Sequence, residues 1–356
     1  MRPLLLVIGT GRREFREYLL RSIQQQYRIH LFAASKPSWE LEYLDGHSVV
    51  DNPSDSITVA KQMQSREPIS GVLCWEEARI LQAGEVARAL GLPGDPDAIA
   101  RCAETHLTRQ ALAAAGVPQP AWARVGTLPD ALVEAGRIGY PLKAGDVKVG
   151  SAEELTSAFR DAATLLEEFA DGEEISVDVA VHSGEIFPLC LARRVESGYY
   201  VHAEDALLHD PMLFRLLHDT HRALGFYDGV THTEIMMSPE GPKVLGVNGR
   251  LGGEVIPYLG LKATGVDAGL AAAAVVCGRA PHVERDRKLV AAVRFFQGNP
   301  GVRFDVKGLP EGIDRLEVLP GQDPKGRIAF ATAVAATAEE CKDALDAAEA
   351  ALRVGR

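Results

Sequence analysis

No Cys-x-x-Cys pair occurs in the 356-residue chain, and its five cysteines (Cys74, Cys102, Cys190, Cys277, Cys341) lie far apart. That spacing argues against a zinc knuckle or a disulfide framework and predicts reduced thiols, mostly core residues, in a cytoplasmic enzyme. No uninterrupted apolar run reaches about 18 residues, so no transmembrane helix is expected. The opening MRPLLLVIGTG lacks a small-residue cleavage site and reads as a first strand rather than a signal peptide. Basic residues are also short. With 38 Lys and Arg against 49 Asp and Glu, the net charge of −11 argues against a nucleic-acid binder, which needs a basic face.

What is present is a hydrophobic fraction of 46% and enough length for two or three domains. In the first hundred residues apolar runs alternate with helical patterns. LLLVIG precedes a stripe of Phe15, Leu19 and Ile23; IHLFAA and SVV precede a helix around Ile57 to Met63; GVLCW precedes a helix from Glu77 to Leu90 closed by Gly91. Strands alternating with helices predict an α/β fold with a parallel sheet covered on both faces. The turn GTGRRE has Gly9 and Gly11 but Glu14 in place of a third glycine, and no acidic residue closes the second strand. A tight turn of a Rossmann-like domain is therefore favoured over a dinucleotide site. Pro93 and Pro96 mark a boundary, and a helix is expected from Leu107 to Ala115, stopped by Gly116 and Pro118.

Two hairpins follow. EEISVDVAVHSGEIFPLCLA alternates Ile175, Val177, Val179 and Val181 with Ser176, Asp178 and Ala180, and turns at HSGE. VTHTEIMMSPEGPKVLGVNGR turns at Pro239 to Gly241, which sets Glu234 near Gly246 and puts Asn248 and Arg250 further along the same face. A carboxylate, an amide oxygen and a guanidinium suit Mg2+ with a phosphate or acyl phosphate. Gly249, Gly252 and Gly253 let a ligand approach the backbone. The chain ends in an amphipathic helix, VAATAEECKDALDAAEAALRV.

In order along the chain, LTRQALAAAGVPQP, GYPLK, LLEEFADGEEISVD, HTEI and VNGRLGG resemble the ATP-grasp carboxylate–amine ligases. VESGYY and AAVRFFQGNPG are similar to the L-amino-acid ligases within them. The resemblance implies an ATP-grasp fold with a Rossmann-like N-terminal domain (1–95), a small lid domain (96–172) and a C-terminal α+β domain (173–356). It implies ATP and Mg2+, with Mn2+ as an alternative. Glu167, Glu168 and Phe169 would lie against the adenine, Glu174 would accept from the ribose, and Lys143 would hold the phosphates. Glu234 and Asn248 would hold the metal. Glu196, Tyr199, Arg250, Gly253 and Glu254 would face the substrate, with Arg250 and Asn248 serving the chemistry. The activity implied is amide formation between amino-acid-like substrates through an acyl phosphate, with a cytoplasmic homodimer as the form such enzymes often take. The alternatives are carboxylation of a nitrogen nucleophile, aminoacylation of a carrier protein, or a weakened nucleotide or amino-acid binder.

Three departures set this chain apart from the pattern. Thr105 replaces a lysine ahead of HLTR, and Gly246 replaces the second metal-binding acid. Only KAGDVKVG separates Leu142 from Ser151, where a longer glycine-rich loop is usual, and the link between Arg194 and Val195 is also short. Either the loops are truly short or segments are missing from this sequence; an intact mass matching 356 residues excludes the second reading.

Overall fold

The computed structural model describes residues 2–50, 52–160, 163–298 and 309–352. The tail of AAVRFFQGNPG lies outside the described residues. The first layer follows the predicted alternation: β1 (Leu4–Ile8), α1 (Arg13–Ile23), β2 (Arg28–Ala33), β3 (Gly46–Val49), α2 (Pro53–Gln64), β4 (Ile69–Leu73) and α3 (Ile80–Leu90). The strands form a parallel sheet in the order β3-β2-β1-β4. Every residue of β1 is buried, as in a strand covered on both faces. Leu19 and Ile23 pack into that core, whereas Phe15 stacks on Phe330 at 5.2 Å and ties α1 to the far end of the chain.

The turn after β1 is filled from within. Glu76, just beyond β4, accepts from the Gly11 N–H, and a side chain on Gly9 would meet that carboxylate at 2.6 Å. A glycine turn leading into a helix is a natural anion site, and here the anion is the protein's own.

Helices α4 (Pro96–Ala103) and α5 (Thr105–Ala114) lead to a small four-stranded sheet of β5 (Trp122–Val125), β6 (Leu142–Ala144), β7 (Val147–Val149) and β8 (Thr164–Glu168), with α6 (Leu128–Ile138) and α7 (Ala152–Ala158). Its order is β5-β8-β6-β7, and it has its own core around Val125, Ala131, Leu142, Leu155 and Leu166.

The rest of the chain builds on an eight-stranded antiparallel sheet. Its elements are β9 (Glu173–His182), β10 (Glu185–Val195), β11 (Gly198–His202), α8 (Pro211–Leu224), β12 (Gly229–Ser238), β13 (Gly241–Asn248), α9 (Ile256–Thr264), α10 (Ala268–Val276), β14 (Val290–Gln297), β15 (Ile313–Val318), β16 (Arg327–Ala335) and α11 (Ala338–Leu352). The strand order is β13-β12-β9-β10-β11-β14-β16-β15. Both predicted hairpins form, and Ser183 and Gly184 at the first turn have positive φ of 53° and 78°, as a two-residue hairpin prefers. The alternation in β9 predicts one wet face, yet Ser176, Asp178 and Ala180 are buried too. The reason is that α10 and the first domain cover one face while α4, α5 and α8 cover the other. Thus α4 and α5, expected to go with the lid, pack on α8 and β13.

His221 on α8 shows how tight this layer is. Its Nδ1 lies 2.6 Å from the Leu217 carbonyl and its Nε2 2.6 Å from the Thr231 hydroxyl, and burial pushes its pKa down to about 4. The folded imidazole therefore stays neutral where the unfolded one, with an ordinary pKa near 6.5, takes up a proton. Stability from this site is complete above about pH 6.5 and falls toward pH 4, by up to about 1.4 kcal/mol per pH unit. Urea unfolding at pH 7.5 and pH 5 should show the loss, and His221→Asn should flatten the difference.

Candidate active site

The second hairpin pairs Ser238 with Gly241 across its two-residue turn and sets Glu234 opposite Gly246 and His232 opposite Asn248. A register shift follows at Glu234/Ile235, because Ile235 pairs with Val244 and Leu245 is left over as a bulge. Since β9 flanks β12 on the other side, two rows cross three strands: Asp178–His232–Asn248 and Ser176–Glu234–Gly246.

The first row carries a buried dyad that the sequence reading does not single out. Asp178 is fully buried; its Oδ1 accepts from His232 Nδ1 at 2.8 Å and from the Gly252 N–H at 2.9 Å. Its Oδ2 has no partner among the described residues. With the proton held on Nδ1, the Nε2 lone pair of His232 faces outward, 4.0 Å from Glu234 Oε1. Gly252 is a glycine for a steric reason, because a Cβ there would sit 2.8 Å from the His232 ring and 2.9 Å from Asp178. Glu234 is 44% exposed and lies over Gly246, where a Cβ would be 3.2 Å from its Oε2.

Arg250 follows the strand end. It donates to Glu77 of the first domain and to its own neighbour's Leu251 carbonyl at 2.9 Å. Buried Arg16 donates to the Gly252 carbonyl at 3.0 Å. The first domain therefore grips the RLGG loop, and Arg250 is engaged rather than open to a ligand.

The residues expected around a nucleotide are mostly engaged as well. Glu167 pairs with Arg109 at 2.6 Å. Glu168 binds Lys243 at 2.7 Å and accepts from the Ala121 N–H at 2.9 Å. Partial burial raises the Glu168 pKa, but these partners outweigh it and hold the carboxyl below the usual range. Glu174 pairs with Arg194 at 2.7 Å. The N–H groups of Glu168 and Phe169 donate to the Ala121 and Pro141 carbonyls at 2.8 and 3.2 Å. Phe169 carries Lys148 Nζ 3.7 Å above its ring centroid. The Glu168 side chain is thus a strut between lid and sheet. Lys143 is exposed on β6, opposite Glu167 and Lys148, with no ion-pair partner among the described residues.

Arg109 is a second residue without a sequence signal beyond being a cation in an alanine-rich helix. Its guanidinium also donates to the Val244 and Leu245 carbonyls at 2.8 and 2.6 Å, and so closes the bulge of β13. Thr105 and Glu167 share a cleft of about 290 Å³ with Arg124 and Asp146, between the start of α5 and the lid.

Three of the five expected substrate residues come together, without Arg250 and Gly253. Glu196, Tyr199 and Glu254 line one cavity of about 630 Å³ with Arg194, Arg294, Lys325 and Arg327. Glu254 is saturated, 2.6 Å from both Lys325 and Arg327. Burial raises its pKa, and those two cations more than reverse the effect, so an additional ammonium finds its charge already spent. It is also strained: Glu254 and Val255 have φ of 52° and 60°, a left-handed pair that non-glycine residues avoid. Burial, followed by the Glu254 charge, raises the Tyr199 phenol, which stays a donor. Glu196 is the one carboxylate of this wall with no partner among the described residues, exposed at the β10–β11 turn. Beside Gly253 a Cβ would meet nothing within 4 Å, so there is open space at that point of the RLGG loop.

Both short loops are closed by two-residue turns. Ala144 pairs with Val147 across Gly145 and Asp146, and Val195 pairs with Gly198 across Glu196 and Ser197. Among the described residues no three His, Cys, Asp or Glu side chains form a metal cluster. A cation here needs donors beyond these side-chain types, from Asn248 and a ligand's phosphates.

No family model matches the chain. It is 25% identical, over 90% of its own length and 73% of the relative's, to the uncharacterised protein y4rH of Sinorhizobium fredii. Among solved structures it is similar to an L-amino acid ligase from Bacillus licheniformis, with a TM-score of 0.81, 19% identity and 98% of each chain covered. It is also similar to phosphoribosylglycinamide synthetase from Anaerococcus prevotii, with a TM-score of 0.77, 15% identity, and 99% and 98% of the two chains covered. A third likeness is to the N5-carboxyaminoimidazole synthetase from Staphylococcus aureus solved with ADP, with a TM-score of 0.79, 13% identity and 99% of each chain covered. The chain has the fold of the ATP-grasp carboxylate–amine ligases.

Proposed function

We propose that this chain, built on the ATP-grasp fold, is an ATP-dependent ligase that joins a carboxylate to an amine, with amino acids as the substrate class. The observation that carries the reading is the pair of rows on β9, β12 and β13, where Glu234, Asn248 and His232 share a face beside the Arg250 loop. The donors fit a divalent ion shared with nucleotide phosphates: Glu234 and Asn248 offer oxygens, and the orphaned Asp178 Oδ2 adds negative charge beneath them. When bound, Mg2+ or Mn2+ supplies charge neutralisation at the phosphates.

The chain's own residues do the rest. Lys143 on the lid approaches the phosphates as an unpaired cation. The substrate carboxylate attacks the γ-phosphate, the bond to ADP breaks, and an acyl phosphate forms. The amine attacks its carbonyl, and phosphate leaves from the tetrahedral intermediate. Arg250, released from Glu77, stabilises that oxyanion. In the 630 Å³ cavity Glu196 is the carboxylate open to a substrate ammonium, and Tyr199 offers a hydroxyl.

Amino-acid substrates are favoured over a phosphorylated ribonucleoside by the turn after β1. The anion site that a ribose phosphate would use there is filled by Glu76. The test is ADP release with Mg·ATP or Mn·ATP against amino acids singly and in pairs. Release that needs a particular pair, with a product mass equal to their sum minus water, supports the reading. ADP release that needs bicarbonate and an aminoimidazole nucleotide instead would overturn it.

Gly246→Glu restores a second acid opposite Glu234. The new side chain approaches Glu234 Oε2, whose exposed carboxylate can turn aside. The expected result is about tenfold tighter Mg2+ binding in the presence of ADP, the worth of one added carboxylate at a partly wet site. Calorimetry of Mg2+ into the ADP-saturated variant measures it.

A further inference from the structure

We infer that His232 is itself a metal ligand, bound through Nε2, and that it takes over the coordination that Gly246 cannot provide. The inference rests on placing the metal–nucleotide site at Glu234 and Asn248. It adds that the site is a mixed nitrogen–oxygen one, which takes Mn2+, Co2+ or Zn2+ in preference to Mg2+.

The geometry points to this from three sides. On β13 the position opposite Glu234 is Gly246, so no second carboxylate reaches the ion from there. One row away, His232 projects on the same face, two residues before Glu234 on the same strand. Its Nε2 lies 4.0 Å from Glu234 Oε1. An ion bonded to both at about 2.0–2.2 Å spans such a gap after a small turn of the exposed glutamate. Asn248 faces His232 across the strand pair and supplies an amide oxygen.

The second side is orientation. A ligating histidine almost always donates its other ring N–H to a carboxylate or carbonyl. Here Nδ1 is 2.8 Å from Asp178 Oδ1, and that oxygen is itself fixed by the Gly252 N–H at 2.9 Å. The ring is therefore locked with its free lone pair toward Glu234.

The third side is charge. Asp178 is fully buried with Oδ2 unpartnered among the described residues; the buried Arg16 guanidinium feels its charge but gives its hydrogen bond to the Gly252 carbonyl. Arg16 offsets part of the cost of this buried carboxylate with its unused oxygen, and a divalent ion one imidazole away adds further positive charge. Imidazole also favours first-row transition ions, Mn2+ least among them, over Mg2+, which asks for oxygen ligands.

The test uses full-length protein labelled with 15N-histidine, with Mn2+ as the probe, alone and with ADP. Electron spin-echo modulation of the bound Mn2+ should show 15N coupling from a directly bound imidazole; adenine nitrogens remain 14N and are distinguished. His232→Gln should remove the coupling and weaken Mn2+ binding about 10–100-fold, while Mg2+ binding changes less than about twofold. Asp178→Asn should keep the coupling but weaken Mn2+ within the same range, which marks Asp178 as a positioning residue. Should His232→Gln fail to fold, the spectrum of the wild-type protein still decides. Mn2+ bound in a Glu234-dependent way without 15N coupling overturns the inference and leaves the ligase reading standing. No Mn2+ binding with ADP at all overturns both this inference and the metal site on which that reading depends.

Discussion

Replacing Glu234 by glutamine is expected to lower metal-dependent ADP release by about 10³-fold, or roughly 4 kcal/mol of transition-state stabilisation. Glutamine keeps the size of the side chain and loses only its charge, and in this hairpin no second carboxylate stands by, because Gly246 faces it. The loss should fall on kcat more than on KM for the amino acids, since the charge is needed as the γ-phosphate transfers. Glu234 is 44% exposed and its carboxylate lies 4.0 Å from His232 Nε2, beyond hydrogen-bond distance, so the folded state loses little. Unfolding midpoints of the variant and the parent should agree. A companion variant, Arg250→Met, should lose about 10²–10³-fold in kcat by removing the oxyanion donor. An unchanged kcat in both would take the chemistry away from this hairpin.

The second large effect is structural. Arg109→Met is expected to destabilise the protein by about 3–5 kcal/mol, as when one partner of a buried ion pair is removed. Its side chain is only 3% exposed and serves Glu167, the Val244 carbonyl and the Leu245 carbonyl at 2.6, 2.8 and 2.6 Å. Removing it leaves a carboxylate and two bulge carbonyls without a donor. Lysine should recover only part of the loss, because one ammonium cannot match a planar fork aimed at four acceptors, the fourth being Gln119 Oε1 at 3.3 Å. Urea unfolding followed by circular dichroism reads the difference; a loss under about 1 kcal/mol would mean that water replaces the guanidinium. Since Arg109 joins α5, β8 and β13, the variant should also weaken ADP binding at concentrations where it remains folded.

Much of the site is legible because it is local. The turn at Pro239 and Glu240 and the period of two bring Glu234 to within one residue of Gly246, and the bulge at Leu245, which no local pattern announces, completes the pairing. The alternation in the first hundred residues likewise leads directly to β1–β4. What stays hidden depends on which strands become neighbours. Asp178 and His232 are 54 residues apart, and their contact exists only because β9 inserts between β12 and β10. The same order buries Ser176 and Asp178, which the alternation assigns to a wet face. Glu254 reads as an open carboxylate until Lys325 and Arg327, 71 and 73 residues away, arrive from the turn before β16 and the start of β16. Glu167, Glu168, Glu174 and Arg250 follow the same rule, since each finds its charge partner across an element boundary that local patterning does not encode. Resemblance supplies the residue types at these positions; the packing decides which of them are still free for a ligand.

The measurement that bears most directly on the central claim follows one oxygen atom. With the amino-acid pair that supports ADP release, the acid component is labelled with 18O in its carboxylate, and the released phosphate is analysed by mass spectrometry. Attack of the carboxylate on the γ-phosphate predicts one 18O in each phosphate formed and one fewer in the amide product. Phosphate released without label, while the amide still forms, would mean that the carboxylate never attacks the γ-phosphate and would contradict the account.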